Sequence, residues 1–144
     1  GDVKVVATLH ADWLTDKAYN VTIDLINSGT EFNYIFANND MMAQGCYNAL
    51  KDAGKENIPI VSTGGSPDGF KMLQDGIEAA NMTAPVSIQG VKTFMNLYNK
   101  VALGEDPAEK FTALPVIPVS ADDTSSYIAW DDYAAAYKYL GENK

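Results

Sequence analysis

Arginine is missing altogether from this sequence of 144 residues, and all ten of its basic residues are lysines. Nineteen acidic residues outweigh them, giving a formal charge of −9. Binding nucleic acid takes a concentrated positive field and usually arginine forks, so this balance excludes that class of partner. An anionic membrane surface would repel the domain for the same reason. The one cysteine, Cys46, rules out an internal disulfide and a cysteine-rich zinc site. His10 is the one histidine, and without a second His or Cys it makes a poor transition-metal site. No apolar run approaches the roughly 18 residues of a spanning helix, and no basic-then-apolar leader opens the chain at Gly1. What remains is 47% apolar and 20% charged, enough for one continuous core and far from the composition of disorder.

Short apolar runs alternate with amphipathic stretches. Lys4 to Leu9 (KVVATL) is rich in β-branched residues and predicts a strand, with Thr15 as the cap of a helix that ends at Gly29. Tyr34 to Ala37 predicts a second strand, a continuous apolar run suited to burial on both faces. Asn39 and Asp40 then open a helix with Met42, Ala43, Cys46, Ala49 and Leu50 on its buried stripe, stopped at Gly54. The third strand is Pro59 to Ser62, followed by the turn Gly64-Gly65 and a helix start at Ser66-Pro67-Asp68. Ile77 to Met82 predicts a weaker fourth strand. Pro85 begins a long helix carrying Val91, Phe94, Met95, Tyr98 and Ala102, closed by Gly104. Two prolines in Leu114 to Val119 reduce that run to an edge strand or a connection, and Asp131 to Leu140 predicts a final helix.

Strand and helix alternating four times imply an α/β fold with a doubly wound, mostly parallel sheet and helices on both faces. Ligands of such sheets bind beyond the carboxyl ends of the strands. The turns to watch are therefore 10–15, 38–41, 63–68 and 83–85.

Those turns carry the recognisable sequence. HADW follows the first strand, IFANNDMMAQGCYNALKDAG covers the second strand and its helix, and IPIVSTGGSPDGFKMLQDG covers the third. In this order, and with the later KVALGE, they resemble the C-terminal lobe of the ribose- and galactose-type periplasmic binding proteins, over residues 3–120. That fold is shared with the effector domains of the lac-repressor family. The resemblance implies a clamshell closing on a small polar solute, often a sugar, whose hydroxyls need bidentate polar partners and whose C–H faces need an aromatic platform. It places Trp13 where the family has a ring against the ligand, and Asn39 where it has a ligand-binding amide, although Asn39 also suits a helix cap. Asp40 is expected to start the helix and organise the turn. Gly64 stands where the family carries an aspartate that grips sugar hydroxyls, so a charged acceptor is lost there. Thr83 aligns with a ligand-binding glutamine and either touches ligand or caps the following helix.

Other residues invite weaker readings. Ser66 is better explained as a cap before Pro67 than as a hydrolase nucleophile, because the G-x-S-x-G elbow would need glycine at Asp68. The TGGSPDG turn lacks a phosphate-loop lysine. The pairs Asp122-Asp123 and Asp131-Asp132 miss the calcium-loop spacing and read as turn and cap residues. Cys46 reads as a core thiol, and Tyr127 and Trp130 as packing for a returning segment in preference to bordering the cleft. No catalytic residue, cofactor or metal is expected.

The family's lobe opens with one more strand and helix, the strand lying centrally between Lys4–Leu9 and Tyr34–Ala37. The chain is thus expected to be a piece of a longer two-lobed protein: a lobe over residues 1–120, truncated at its start, and a returning segment with the final helix over 121–144. Something else must then fill the central place, such as self-association with another copy. The resemblance implies a solute-binding component of an ABC-type importer, outside the cytoplasm and docking on a membrane permease. The alternative is the effector domain of a transcriptional regulator, and an enzyme on a similar scaffold is the least favoured reading.

Overall fold

The computed structural model describes residues 3–107, 109–114 and 116–142. Helix α1 (Thr15–Asn27) is followed by strand β1 (Ile35–Ala37) and helix α2 (Asp40–Asp52). Strand β2 (Ile60–Gly64), helix α3 (Pro67–Gln74), strand β3 (Glu78–Thr83) and helix α4 (Val86–Tyr98) complete the repeating pattern. A π-helical turn, Asn99–Leu103, extends α4 to Gly104, whose φ of 74° ends the helix in the left-handed region. Strand β4 (Ile117–Ser120) and helix α5 (Tyr133–Glu142) close the chain. The sheet order is β1-β2-β3-β4, with β1, β2 and β3 parallel and β4 antiparallel on β3. The α/β class and the mostly parallel sheet agree with the alternation in the sequence. The proline-bearing run does form an edge strand; Pro115, one of its two prolines, lies outside the described residues.

Local chemistry explains most element ends. Asn39 caps α2 by accepting from the Met42 N–H at 2.8 Å, and Ser66 caps α3 by accepting from the Gly69 N–H at 3.1 Å, with Pro67 at the first helical position. Thr15 does not cap α1. It is the first helical residue, Leu14 holds the cap position, and no side chain closes the end.

One expected strand does not form. Lys4–Leu9 pairs with nothing in the sheet, and Val3 and Val5 are 70% and 74% exposed. A strand exists by its ladder, and β1, the nearest edge, lies across an open groove of about 1270 Å³ bordered by residues 3–9 and by Phe32, Tyr34 and Phe36. The β-branched composition was a sound local signal without a partner to satisfy it.

Cross-strand partners share a sheet face. The face bearing Ala37, Ile60, Ser62, Asn81 and Val119 is buried. The opposite face is covered less completely, with Phe36 55% and Met82 37% exposed. The core divides in two. One cluster joins α1, α2 and the sheet through Ala18, Ala43, Cys46, Leu50 and Ile60. The other joins α3, α4, α5 and β4 through Leu73, Ile88, Val119 and Ala136. Leu50 and Ile60 are fully enclosed, each contributing about 1.5–3 kcal/mol.

Gly45 is what lets α1 and α2 close on each other. A Cβ there would stand 2.2 Å from the Thr15 carbonyl oxygen and 2.9 Å from Ala18 Cβ. Gly45→Ala is therefore expected to lower stability by about 1–3 kcal/mol through overpacking. Gly90→Ala, in α4 with open space around it, should stabilise by about 0.5–1 kcal/mol. Thermal denaturation of the two variants beside the parent checks both signs.

Candidate functional site

In a parallel sheet the carboxyl ends of β1 and β2 lie at one end, and here a single buried side chain ties their turns together. Asp40, the first residue of α2, is 5% exposed. Its Oδ2 accepts from the Ser66 N–H at 2.7 Å and its Oδ1 from the Gly65 N–H at 3.4 Å. Asn81 Nδ2 donates to the same Oδ1 at 2.7 Å. Asp40 thus organises the turn, as the sequence suggests, but it does so across to the next strand rather than only at its own helix start.

The carboxylate also explains the glycines around it. A Cβ on Gly64 would meet Asp40 Oδ2 at 2.8 Å, and one on Gly69 would meet Asp40 Cγ at 2.4 Å. Gly64 has φ 137° and Gly65 φ 73°, conformations that disfavour any other residue. A side chain at Gly64 would therefore require a different turn, which gives the departure from the family's aspartate a physical reason. Gly65 in turn lies close over Thr83: an added Cβ would stand 2.6 Å from Thr83 Cβ.

The remaining sequence candidates fall in three different settings. Asn39 is half-buried; its Oδ1 is used for the cap, while among the described residues no hydrogen bond engages its Nδ2. Both amide hydrogens are thus available to an acceptor outside the chain, and capping and donation are compatible in one side chain. Trp13 is 62% exposed on the loop before α1. Both Asp12 (φ 48°) and Trp13 (φ 65°) are held in the left-handed region, a strained arrangement for non-glycine residues. An ion pair between Asp12 and Lys17 braces the loop, and that lysine holds the Asp12 carboxyl below its ordinary range. Thr83 is fully buried and its hydroxyl donates to the Ile117 carbonyl at 2.8 Å. It does not cap α4, where Pro85 holds the cap position with no side-chain bond; the sequence could not show that β4 would offer the hydroxyl a nearer acceptor.

Other residues at this end were not read as site components from sequence. Tyr127 stacks on Phe70 with ring centroids 3.8 Å apart and 5° between planes, and its hydroxyl donates to the Gly65 carbonyl at 3.1 Å. Trp130 Nε1 donates to the Gly64 carbonyl at 3.4 Å. Packing is indeed what these aromatics do, yet the surface they pack against is the Gly64-Gly65 turn itself. Burial, then the nearby charges of Asp40 and Asp131, push the Tyr127 phenol up. Ser62, Glu78 and Asn81 form a buried polar group beneath Asp40. For Glu78 and Asn81 the one sequence signal was the polarity that made residues 77–82 a weak strand. Cys46 is 8% exposed, accepts from the Thr22 hydroxyl at 3.3 Å, and has its thiol pushed up by burial, a core thiol as expected.

The two roles of Asn39 separate by substitution. Asn39→Ala is expected to cost about 1 kcal/mol, the usual loss of a cap, whereas Asn39→Ser keeps the cap and stays within a few tenths. Chemical denaturation read by circular dichroism distinguishes them.

Comparison with known proteins bears on this end of the sheet. Residues 1–106 match the periplasmic binding protein domain. The ribose import binding protein of Salmonella typhimurium is 35% identical over 107 residues, covering 74% of this chain and 36% of that protein. The D-allose-binding periplasmic protein of Escherichia coli is 36% identical over 86 residues, covering 59% of this chain and 26% of that protein. The chain thus spans about a third of the length of the ribose relative it matches. Among solved structures, a periplasmic solute binding protein from Actinobacillus succinogenes with bound D-allose superposes at a TM-score of 0.80. It shares 23% identity, with 88% of this chain and 44% of that one covered, a likeness of fold. With the periplasmic binding protein domain matching over most of its length and a ribose-binding relative 35% identical over 74% of it, this chain belongs to the periplasmic binding protein family.

Proposed function

We propose that the chain is the larger part of one lobe of a sugar-binding protein that delivers its solute to an ABC-type importer outside the cytoplasm. The observation that carries this reading is the convergence of the β1 and β2 turns on Asp40, which leaves the Asn39 amide nitrogen to donate at the carboxyl end of the sheet. Ribose, D-allose and xylitol in the names of curated relatives support the ligand class. Trp13 supplies an apolar ring face for sugar C–H groups, and Asn39 a pair of donors for adjacent hydroxyls. Gly64 contributes no carboxylate, which favours a ligand less hydroxylated at that point than ribose or galactose. Thr83 acts from below, filling the volume under Gly65. No catalytic step belongs to this reading: the site offers hydrogen bonds and a ring, and the work done is capture and presentation to a permease.

The same reading gives the groove beside β1 an occupant. The edge of β1 and the unpaired segment 3–9 face each other across it, with Tyr34, Phe36 and Val6 toward or near the gap. A β-strand satisfies both edges at once. Residues 1–120 would then form the lobe and 121–144 the segment returning over it, with the strand supplied by the rest of the protein or by a second copy.

Half of a clamp binds weakly, because the ordering cost falls on fewer contacts. The 144-residue chain alone is expected to show no saturable sugar binding in a calorimetric titration. In the intact two-lobed protein, screened against pentoses, hexoses and polyols, Trp13→Ala and Asn39→Ser should each weaken the tightest sugar at least tenfold, about 1.4 kcal/mol. Unchanged affinity in both variants would remove the assignment of this site.

A further inference from the structure

Beneath the cleft turn lies a group of four polar side chains, Asp40, Ser62, Glu78 and Asn81, of which Ser62, Glu78 and Asn81 are fully enclosed. Five contacts connect them. Ser62 Oγ lies 3.2 Å from Asp40 Oδ1 and 2.9 Å from Glu78 Oε1. Asn81 Nδ2 lies 2.7 Å from Asp40 Oδ1, 2.8 Å from Ser62 Oγ and 3.0 Å from Glu78 Oε2. With both acids ionised, the group owns three hydrogens for these contacts, one on Ser62 and two on Asn81. The Ser62 hydroxyl could then serve only one of the two carboxylate oxygens beside it, leaving lone pairs opposed at the other. A proton on Glu78 Oε1 removes the conflict: it donates to Ser62 Oγ, which donates to Asp40 Oδ1, and the amide hydrogens serve Asp40 and Glu78.

The position of that proton follows from the donors. Asp40 already accepts from Ser66 N–H, Gly65 N–H and Asn81, whereas Glu78 accepts only from Asn81 and the shared serine. The charge belongs on Asp40 and the proton on Glu78. The amide orientation agrees, since turning Asn81 over would aim its oxygen at three other oxygens. As it stands, Asn81 Oδ1 is buried with no hydrogen-bond partner among the described residues, a cost borne so that Nδ2 can face the acids.

We propose that Glu78 is a positioning residue for the cleft: in its protonated form it completes a hydrogen-bond chain through Ser62 to Asp40, and so holds the Gly65-Ser66 turn in place. The inference rests on the sugar-cleft reading only for the use of that turn; the proton chain stands on geometry alone. Few other charges compete. α2 presents Asp40, β2 and β4 carry no titratable side chain, and Asp68, Lys71 and Asp75 of α3 are exposed. Tyr127 and Asp131 of the returning segment complete the surroundings. Burial, opposed by the bonds from Asn81 and Ser62 and reinforced by Asp40, raises the Glu78 carboxyl from 4.5 to about 7. The folded chain therefore keeps a proton that the unfolded chain releases as pH rises through that window, so stability is greatest below it and falls toward neutrality.

Carbon-13 detection of the Glu78 carboxyl in the 144-residue chain, titrated from pH 3 to pH 9, tests the idea without any ligand. The expected midpoint lies about two units or more above an ordinary glutamate. The amide resonances of Gly65 and Ser66 should follow the same midpoint. In Glu78→Gln, which carries a permanent donor in place of the acid, those amides should lose that titration while the turn shifts stay near their low-pH positions. A Glu78 midpoint near 4.5, for whatever reason, overturns the proposal, as do turn amides that ignore the Glu78 titration. Sugar affinity of the intact protein is a separate readout: a confirmed proton chain with no sugar binding would sink the cleft reading and leave this one standing.

Discussion

A buried carboxylate must be supplied with hydrogen bonds or it will not stay buried and charged. Asp40 meets that demand by drawing donors from three places: the backbone after β2, the Ser62 hydroxyl within β2, and Asn81 in β3. Much of the end of the sheet follows from that one requirement. The turn after β2 must come close enough to offer its N–H groups, so glycine occupies positions 64 and 69, while Gly65 is required by its close approach to Thr83. The turn's carbonyls then point away, toward Tyr127 and Trp130, which fasten the returning segment over it. Removing the charge would leave several donors unanswered at once.

The opposite edge of the sheet is governed by a demand that goes unmet. β1 offers an unpaired edge, and the valine-rich segment before α1 offers another, with a groove between them. Exposed apolar residues gather there and along α4, where Phe94, Tyr98 and Val101 recur at helical spacing, 66%, 53% and 77% exposed. Unpaired strand edges and open apolar stripes are costly features in a free-standing domain. They are concentrated on surfaces away from the glycine turn, so that one end of the sheet is closed by polar contacts while one edge lies open.

Legibility in the sequence varied with the range of the interaction. The caps at Asn39 and Ser66, the helix ends at Gly29, Gly54 and Gly104, and the α/β alternation depend on neighbours a few residues away, and they read correctly. Asn39 and Asp40 stood out because their spacing within the second strand-turn-helix block is distinctive. The Lys4–Leu9 strand failed because its propensity was local and its partner was not. Glu78 and Asn81 escaped notice for the opposite reason. Polar residues on an inward strand face weaken the pattern by which a strand is recognised, and only their distances to Asp40 reveal why they are there.

Composition, periodicity and turn chemistry were enough by themselves to determine the fold class and the strand-helix alternation from Tyr34 onward. These are consequences of short-range sterics and of where apolar residues recur. The tertiary structure alone decided which side chains share a site. It put Thr83 under the glycine turn rather than on the surface, joined residues 40, 62, 78 and 81 into one hydrogen-bonded polar group, and left Lys4–Leu9 without a ladder. Each of those outcomes depends on contacts between residues well separated in the chain, and burial, which sets the strength of a hydrogen bond and the cost of a charge, exists only once those contacts have formed.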